Sequence, residues 1–124
     1  MIGYVTFGTN DLARAGTFYD ALLAEFGATR FMDDGRIIIW GTTPDQPMFA
    51  ICTPHDEKAA SVGNGAMVAL DAGSKERVQK LYDKAIELGG TDEGEPGPRG
   101  DGPFYGGYFR DLDGNKFVAY FMDM

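Results

Sequence analysis

The only cysteine and the only histidine of this chain lie together in "CTPHDE", Cys52 to Glu57. A Cys-x-x-His spacing can supply two ligands of a tetrahedral zinc site, but closing the site needs a second pair. Neither residue occurs again, so the sequence offers no completed zinc motif. Cys52 as a nucleophile would need a base within reach, and strand alternation turns it away from the Ile51 face. Thr53-Pro54-His55-Asp56 also has the composition of a turn following an edge strand. That reading makes Cys52 a structural thiol and His55 a surface-loop residue.

Other residues able to do chemistry are tyrosines and two arginines. A tyrosine near its reference pKa of about 10 is a weak general base at neutral pH unless cationic neighbours perturb it. Arg99 stands in "PGPRGDGPFYGG", part of the glycine-rich stretch Gly89 to Gly107. That stretch reads as one long, turn-rich connection, from which Arg99 could reach an anionic group as part of a lid. Arg110 flanks the "RDLDGN" turn and is expected to pair with Asp111 or Asp113, or to be solvated.

The elements that must hold these residues are legible from periodicity. "GYVTFGT" alternates, with Tyr4, Thr6 and Gly8 on one face and Val5 and Phe7 on the other. "NDLARAGTFYDALLAEFG" follows as an amphipathic helix. Asn10 or Asp11 caps it and Gly27 stops it. "ATRFMDDGRIIIWG" reads as a hairpin turning at Asp34-Gly35, and "QPMFAICTP" as a fourth strand bounded by prolines. The order is βαβββ. "AMVALDA" and "GSKERVQKLYDKAIELGG" then give a second strand and a second helix, the latter capped by Ser74 and stopped by Gly89-Gly90. A short extended piece, Thr91-Asp92-Glu93, and the closing hairpin "FRDLDGNKFVAYF" complete the order again. A shift of 63 residues sets Tyr19 on Tyr82, Asp20 on Asp83, Gly27 on Gly90 and Tyr4 on Met67. Matching element order and length argue for internal duplication.

The expected architecture is α+β: a single domain over 1–124, with two tandem βαβββ modules at about 1–60 and 64–124 forming a curled mixed sheet around a central cleft. Concave clefts between repeated modules are common small-molecule sites. A formal net charge of -8 with scattered acids argues against nucleic-acid partners. No apolar run reaches the roughly 20 residues of a membrane span, and the N-terminus has no signal-peptide pattern, so a cytoplasmic location is expected.

The stretches "YVTFGTNDLARAGTFYDALLAEFGA", "GNGAMVALDAGSKERVQKLYDKAIELGG" and "FYGGYFRDLDGNKFVAYF" resemble the vicinal oxygen chelate superfamily, which includes glyoxalase I, bleomycin-resistance proteins, fosfomycin-resistance enzymes and extradiol dioxygenases. The resemblance covers nearly the whole chain, and the strand–turn–strand around "RDLDGN" is its most specific part. It implies paired βαβββ motifs, usually assembled as dimers. Metal-dependent members draw ligands from the first and last strands of each half, commonly a His on the first strand and a Glu on the last. The matching positions here are Tyr4, Met67, Val118 and a residue within Phe49-Ala50-Ile51. None has the imidazole or carboxylate that a divalent ion requires for oxygen chemistry. The resemblance therefore implies no metal and no cofactor.

If Tyr4, Met67 and Val118 face the cleft as the resemblance implies, Thr6, Ala69, Tyr108 and Tyr120 share that face. The strand aromatics Trp40, Phe49 and Tyr105 are further candidates for the wall, with Arg99 above it. Such a wall suits an apolar or aromatic ligand. The function expected is metal-free binding of a small molecule by a homodimer. A divergent glyoxalase-type lyase or a metal-independent isomerase of a small carbonyl compound, using Tyr4, Tyr108 or His55 as acid or base, is the alternative.

Overall fold

A computed structural model describes residues 1–124, which divide by contact into two units, Met1–Val62 and Gly63–Met124. The division falls where the sequence repeat places it. In the first unit β1 (Tyr4–Gly8) leads into α1 (Leu12–Leu23), followed by β2 (Thr29–Asp33), β3 (Ile37–Gly41) and β4 (Met48–Cys52). In the second, β5 (Val68–Asp71) leads into α2 (Lys75–Glu87), then β6 (Thr91–Pro98), β7 (Phe104–Arg110) and β8 (Lys116–Met122). There are two mixed four-stranded sheets, ordered β1-β4-β3-β2 and β5-β8-β7-β6. In both, the first strand of the unit pairs in parallel with the last, and the other pairings are antiparallel.

Each helix seals one face of its own sheet. Asp11 caps α1 by accepting from the Arg14 backbone N–H, and Ser74 caps α2 by accepting from that of Arg77. Phe18, Tyr19, Leu22 and Leu23 of α1 are buried, with Ile38, Trp40, Phe49 and Ile51 from the strands. The Tyr19 ring lies 5.5 Å from that of Trp40 and 4.7 Å from that of Phe49. The Trp40 indole N–H donates to Asp20 at 2.9 Å. Arg30 on β2 reaches Asp20 and Asp33 at 2.9 and 2.8 Å. The Arg30 guanidinium holds the Asp20 carboxyl below its usual range. One carboxylate thus satisfies a buried indole and ties the helix to the edge strand.

The second helix uses different chemistry at the matching place. Val78, Leu81, Tyr82 and Ala85 are buried, but Asp83 accepts only from its helix neighbour Gln79 at 2.9 Å. The tie to the edge strand comes from Tyr82, whose hydroxyl donates to Asp92 at 2.7 Å.

Three expectations are corrected here. The short extended piece expected at Thr91-Asp92-Glu93 runs on to Pro98 as strand β6 on β7, through what was read as a turn-rich connection, with register irregularities between Asp92 and Gly94 and between Gly94 and Gly97. Pro96 and Pro98 lack the N–H of a regular ladder, which hides the strand from a propensity reading. Strand β4 lies inside its sheet, between β1 and β3, because the parallel return of β1 covers what looked like an edge. Arg110 pairs with Glu93 and donates to the Gly114 carbonyl at 2.8 Å. Asp111 instead closes the turn, accepting from the backbone N–H groups of Asp113 and Asn115 at 2.9 and 2.8 Å and from the Asn115 amide at 2.9 Å.

Two predictions follow from these contacts. A Cβ on Gly90 would sit 2.7 Å from the Arg110 carbonyl oxygen and 2.8 Å from that of Ala85. Both are backbone atoms that cannot swing aside, so Gly90→Ala should destabilise the protein by about 1–3 kcal/mol. The urea midpoint should fall while the m-value stays constant.

Burial, then the hydrogen bond to Asp92, pushes the Tyr82 hydroxyl up to about 12. A group whose pKa is raised on folding stabilises fully below its unfolded value and loses that contribution as pH rises through the folded one. Stability should therefore fall between pH 10 and about 12, and Tyr82→Phe should flatten that fall in equilibrium unfolding measured across this range.

Candidate functional site

Alternation that buries odd-numbered residues of β4 and β8 against a helix turns the even-numbered ones to the opposite face. In the first unit the register sets Tyr4 beside Met48, and Thr6 beside Ala50 with Ile39 next to it. Tyr4 is 59% exposed and Ala50 fully buried. Phe31 and Met32 of β2 are both exposed, and Met32 pairs with Ile39. This face is largely apolar and carries hydroxyls at Tyr4, Thr6 and Thr29, the last paired with Gly41.

In the second unit Ala69 pairs with Val118, which pairs in turn with Tyr108, while Tyr120 stands beside Gly106. The Phe104 ring stacks on Tyr120 at 5.5 Å with the planes 4° apart. It reaches across Gly106, where a Cβ would meet Phe104 at 2.8 Å. The missing side chain lets two aromatic rings lie parallel. Met67 precedes β5 and is exposed.

Arg99 lies over the Tyr108 ring at 5.3 Å and Lys116 over the same ring at 5.5 Å. The Arg99 guanidinium donates to the backbone carbonyls of Glu95, Gly97 and Pro98 at 2.7, 3.0 and 3.3 Å. It is fixed in place by neutral acceptors, so its charge remains uncompensated. The expected lid is thus a clamp on the irregular end of β6.

The structure brings Tyr4 and Thr6 together on one helix-free face, and Ala69, Tyr108, Val118 and Tyr120 on the other. It separates three candidates from them. Trp40 and Phe49 pack against Tyr19 of α1 and are 1% and 7% exposed. Tyr105 has the parity of Phe109 and meets Lys75 of α2 at 5.4 Å. These three belong to the helix side of their sheets, because aromatic content does not distinguish the two faces of a strand. Lys116, Phe104, Ile39 and Met48 share these helix-free faces and were not among the sequence candidates. Parity with Val118 or Ala50 marks all four.

A central strand flanked by a parallel and an antiparallel neighbour, sealed on one face by a helix and apolar on the other, defines each unit as a βαβββ module with one helix-free sheet surface. The family model described as Glyoxalase/Bleomycin resistance protein/Dioxygenase superfamily matches residues 1–119, and the chain belongs to that superfamily. Among solved structures, a glyoxalase/bleomycin resistance protein from Albidiferax ferrireducens is 34% identical, with 99% of both chains covered and a TM-score of 0.89. Lactoylglutathione lyase from Agrobacterium tumefaciens is 20% identical, covering 98% of this chain and 92% of that one at a TM-score of 0.72. A fosfomycin resistance protein from Listeria monocytogenes is 17% identical, covering 100% and 94% at a TM-score of 0.74. These last two share the fold. No curated protein matches the sequence.

The resemblance sets the expected metal-ligand positions at Tyr4, Met67, Val118 and one of Phe49-Ala50-Ile51, of which Ala50 shares the face of Tyr4 by register. Methyl groups offer no lone pair, a thioether is a soft donor, and a neutral phenol is a poor ligand. Asp71, on the same face as Ala69, accepts from the Gly73 backbone N–H. No three His, Cys, Asp or Glu side chains converge anywhere in the chain. This donor set does not fit a divalent ion.

Proposed function

We propose that this protein binds a small apolar or aromatic ligand against the helix-free sheet faces, without a divalent metal. The observation that carries the reading is chemical. At every position where metal-dependent relatives place a ligand, this chain has a methyl group, a thioether or a phenol. On the second unit's face the stacked pair Phe104–Tyr120 supplies π surface beside Ala69, and on the first unit's face the exposed Tyr4 does so. Arg99 and Lys116, neither in contact with a carboxylate, favour a ring that carries one acidic substituent. No helix is long and apolar enough to cross a membrane. A homodimer in the cytoplasm completes the proposal on the strength of the family resemblance, and sedimentation at the mass of a single chain would count against the dimer.

A thermal-shift screen of aromatic acids, their amides and aliphatic acids tests the ligand class, because a native-state ligand raises the melting temperature by mass action. Aromatic acids should give the largest shifts, and Tyr108→Leu should weaken their binding about tenfold. Shifts confined to non-aromatic compounds would overturn the reading.

Elemental analysis of the purified protein should find no stoichiometric zinc, nickel, iron or manganese. Met67→His combined with Val118→Glu should introduce measurable zinc affinity where the unaltered protein has none. Hemithioacetal turnover on addition of zinc or nickel would refute the metal-free reading and favour the lyase.

A further inference from the structure

The "CTPHDE" stretch contributes to a pocket that has no part in the sheet faces described above. Its walls come from three segments of the first unit: Thr9 and Asn10 before α1, Gly35 and Arg36 in the β2–β3 turn, and residues 53–55 and 57–59 after β4. Backbone and side-chain hydrogen bonds fasten these segments to one another. The Asn10 side chain accepts from the Ala60 N–H at 2.7 Å and donates to the Ala60 carbonyl at 3.2 Å. Arg36 donates through Nη1 to the Thr53 carbonyl at 2.8 Å, and its own carbonyl accepts from the Thr53 N–H at 3.0 Å. The loop after β4 is thus held at both ends, and the pocket is a built feature.

Its charge runs against that of the molecule. In a chain of net charge -8, Arg36, Lys58 and the sole imidazole, His55, line the pocket against one acid, Glu57. The nearby acids are turned onto backbone. Asp34 accepts from the N–H groups of Arg36 and Ile37, each at 2.9 Å, and Asp56 from that of Lys58 at 3.0 Å. Neither Arg36 nor Lys58 forms an ion pair. Glu57 is the one non-glycine residue with positive φ, at 64°. This uncommon conformation reverses the chain so that His55 and Lys58, on either side of it, reach the same pocket. The residues lining this one opening thus include a planar guanidinium, an ammonium and an imidazole, the donor types that recognise oxyanions.

We infer that the pocket formed by Arg36, His55 and Lys58 is a binding site for a small oxyanion, a phosphate or a carboxylate, separate from the apolar ligand surface. The two cations of the wall, Arg36 and Lys58, outnumber its one acid, which favours an anion there in a chain of net charge -8.

The test is a titration of the full-length protein at fixed pH and ionic strength, followed through the His55 ring protons by NMR. Inorganic phosphate and acetate are added in separate arms, with chloride as reference. A saturable shift beyond that of chloride is expected. Response to phosphate alone assigns a phosphate ligand, response to acetate alone a carboxylate, and response to both a general oxyanion site. Lys58→Gln should weaken binding about tenfold, the loss of one charge-assisted hydrogen bond. The Lys58 side chain makes no hydrogen bond or ion pair within the protein, so this variant keeps the fold even if Arg36→Gln, which also frees Thr53, does not. Glu57→Gly should bind more tightly, because it removes the one acid from the wall. No saturable shift with either anion, or identical curves for the unaltered protein and Lys58→Gln, overturns the inference.

Discussion

Everything in this molecule follows from one helix closing one face of each four-stranded sheet. Once α1 covers Ile38, Trp40, Phe49 and Ile51, strand alternation leaves the protein no choice about what the opposite face contains. Residues two apart share a fate, and neighbours have opposite ones. Phe49 and Phe117 lie on the helix side of their sheets, while Ala50 and Val118, buried as well, belong to the opposite faces. A shift of one residue in either central strand would exchange the helix-side core for the other face. The closing turn guards against this in the second unit. Asp111 gathers two backbone N–H groups and the Asn115 amide, fixing Arg110 opposite Lys116 and hence Phe109 opposite Phe117.

The duplicated units solve a shared problem with unlike chemistry. Each must bind its helix to a bulged outer strand. The first uses an ion pair that also satisfies a buried indole, centred on Asp20 and Arg30. The second uses a phenol–carboxylate hydrogen bond between Tyr82 and Asp92. Since Tyr19 and Tyr82 occupy matching positions, the difference lies in their surroundings. Tyr19 is enclosed by Phe18, Trp40 and Phe49, whereas Tyr82 meets an acid on β6.

Most of the fold was legible because its strongest signals are local. Helical spacing, Ser and Asp caps, glycine stops and the Asp-x-Asp-Gly-Asn turn each act over a few residues, and together they gave both βαβββ orders. The length of β6 was not legible beyond Glu93. Its two prolines and two glycines deny residues 94–98 a strand's composition, and only pairing with β7, a tertiary contact, makes them a strand. Parity put Tyr4, Thr6, Ala69, Tyr108, Val118 and Tyr120 on the helix-free faces, which is where the register has them. Trp40, Phe49 and Tyr105 were grouped with them on aromatic character without parity, and they lie on the helix sides. The pocket around His55 was beyond reach of the sequence, because Arg36, Asn10 and Lys58 meet only once the loop after β4 folds back on the β1–α1 connection.

The irregularity of β6 has a consequence for how the protein behaves in a crowded solution. An outer strand normally offers a row of free N–H and C=O groups on which another chain can build. Here Pro96 and Pro98 remove two donors, the register breaks twice, and Arg99 occupies the carbonyls of Glu95, Gly97 and Pro98. A foreign strand arriving at this edge finds no ladder to extend. A chain with exposed tyrosine, phenylalanine and methionine on its surface is thereby kept from polymerising along this edge.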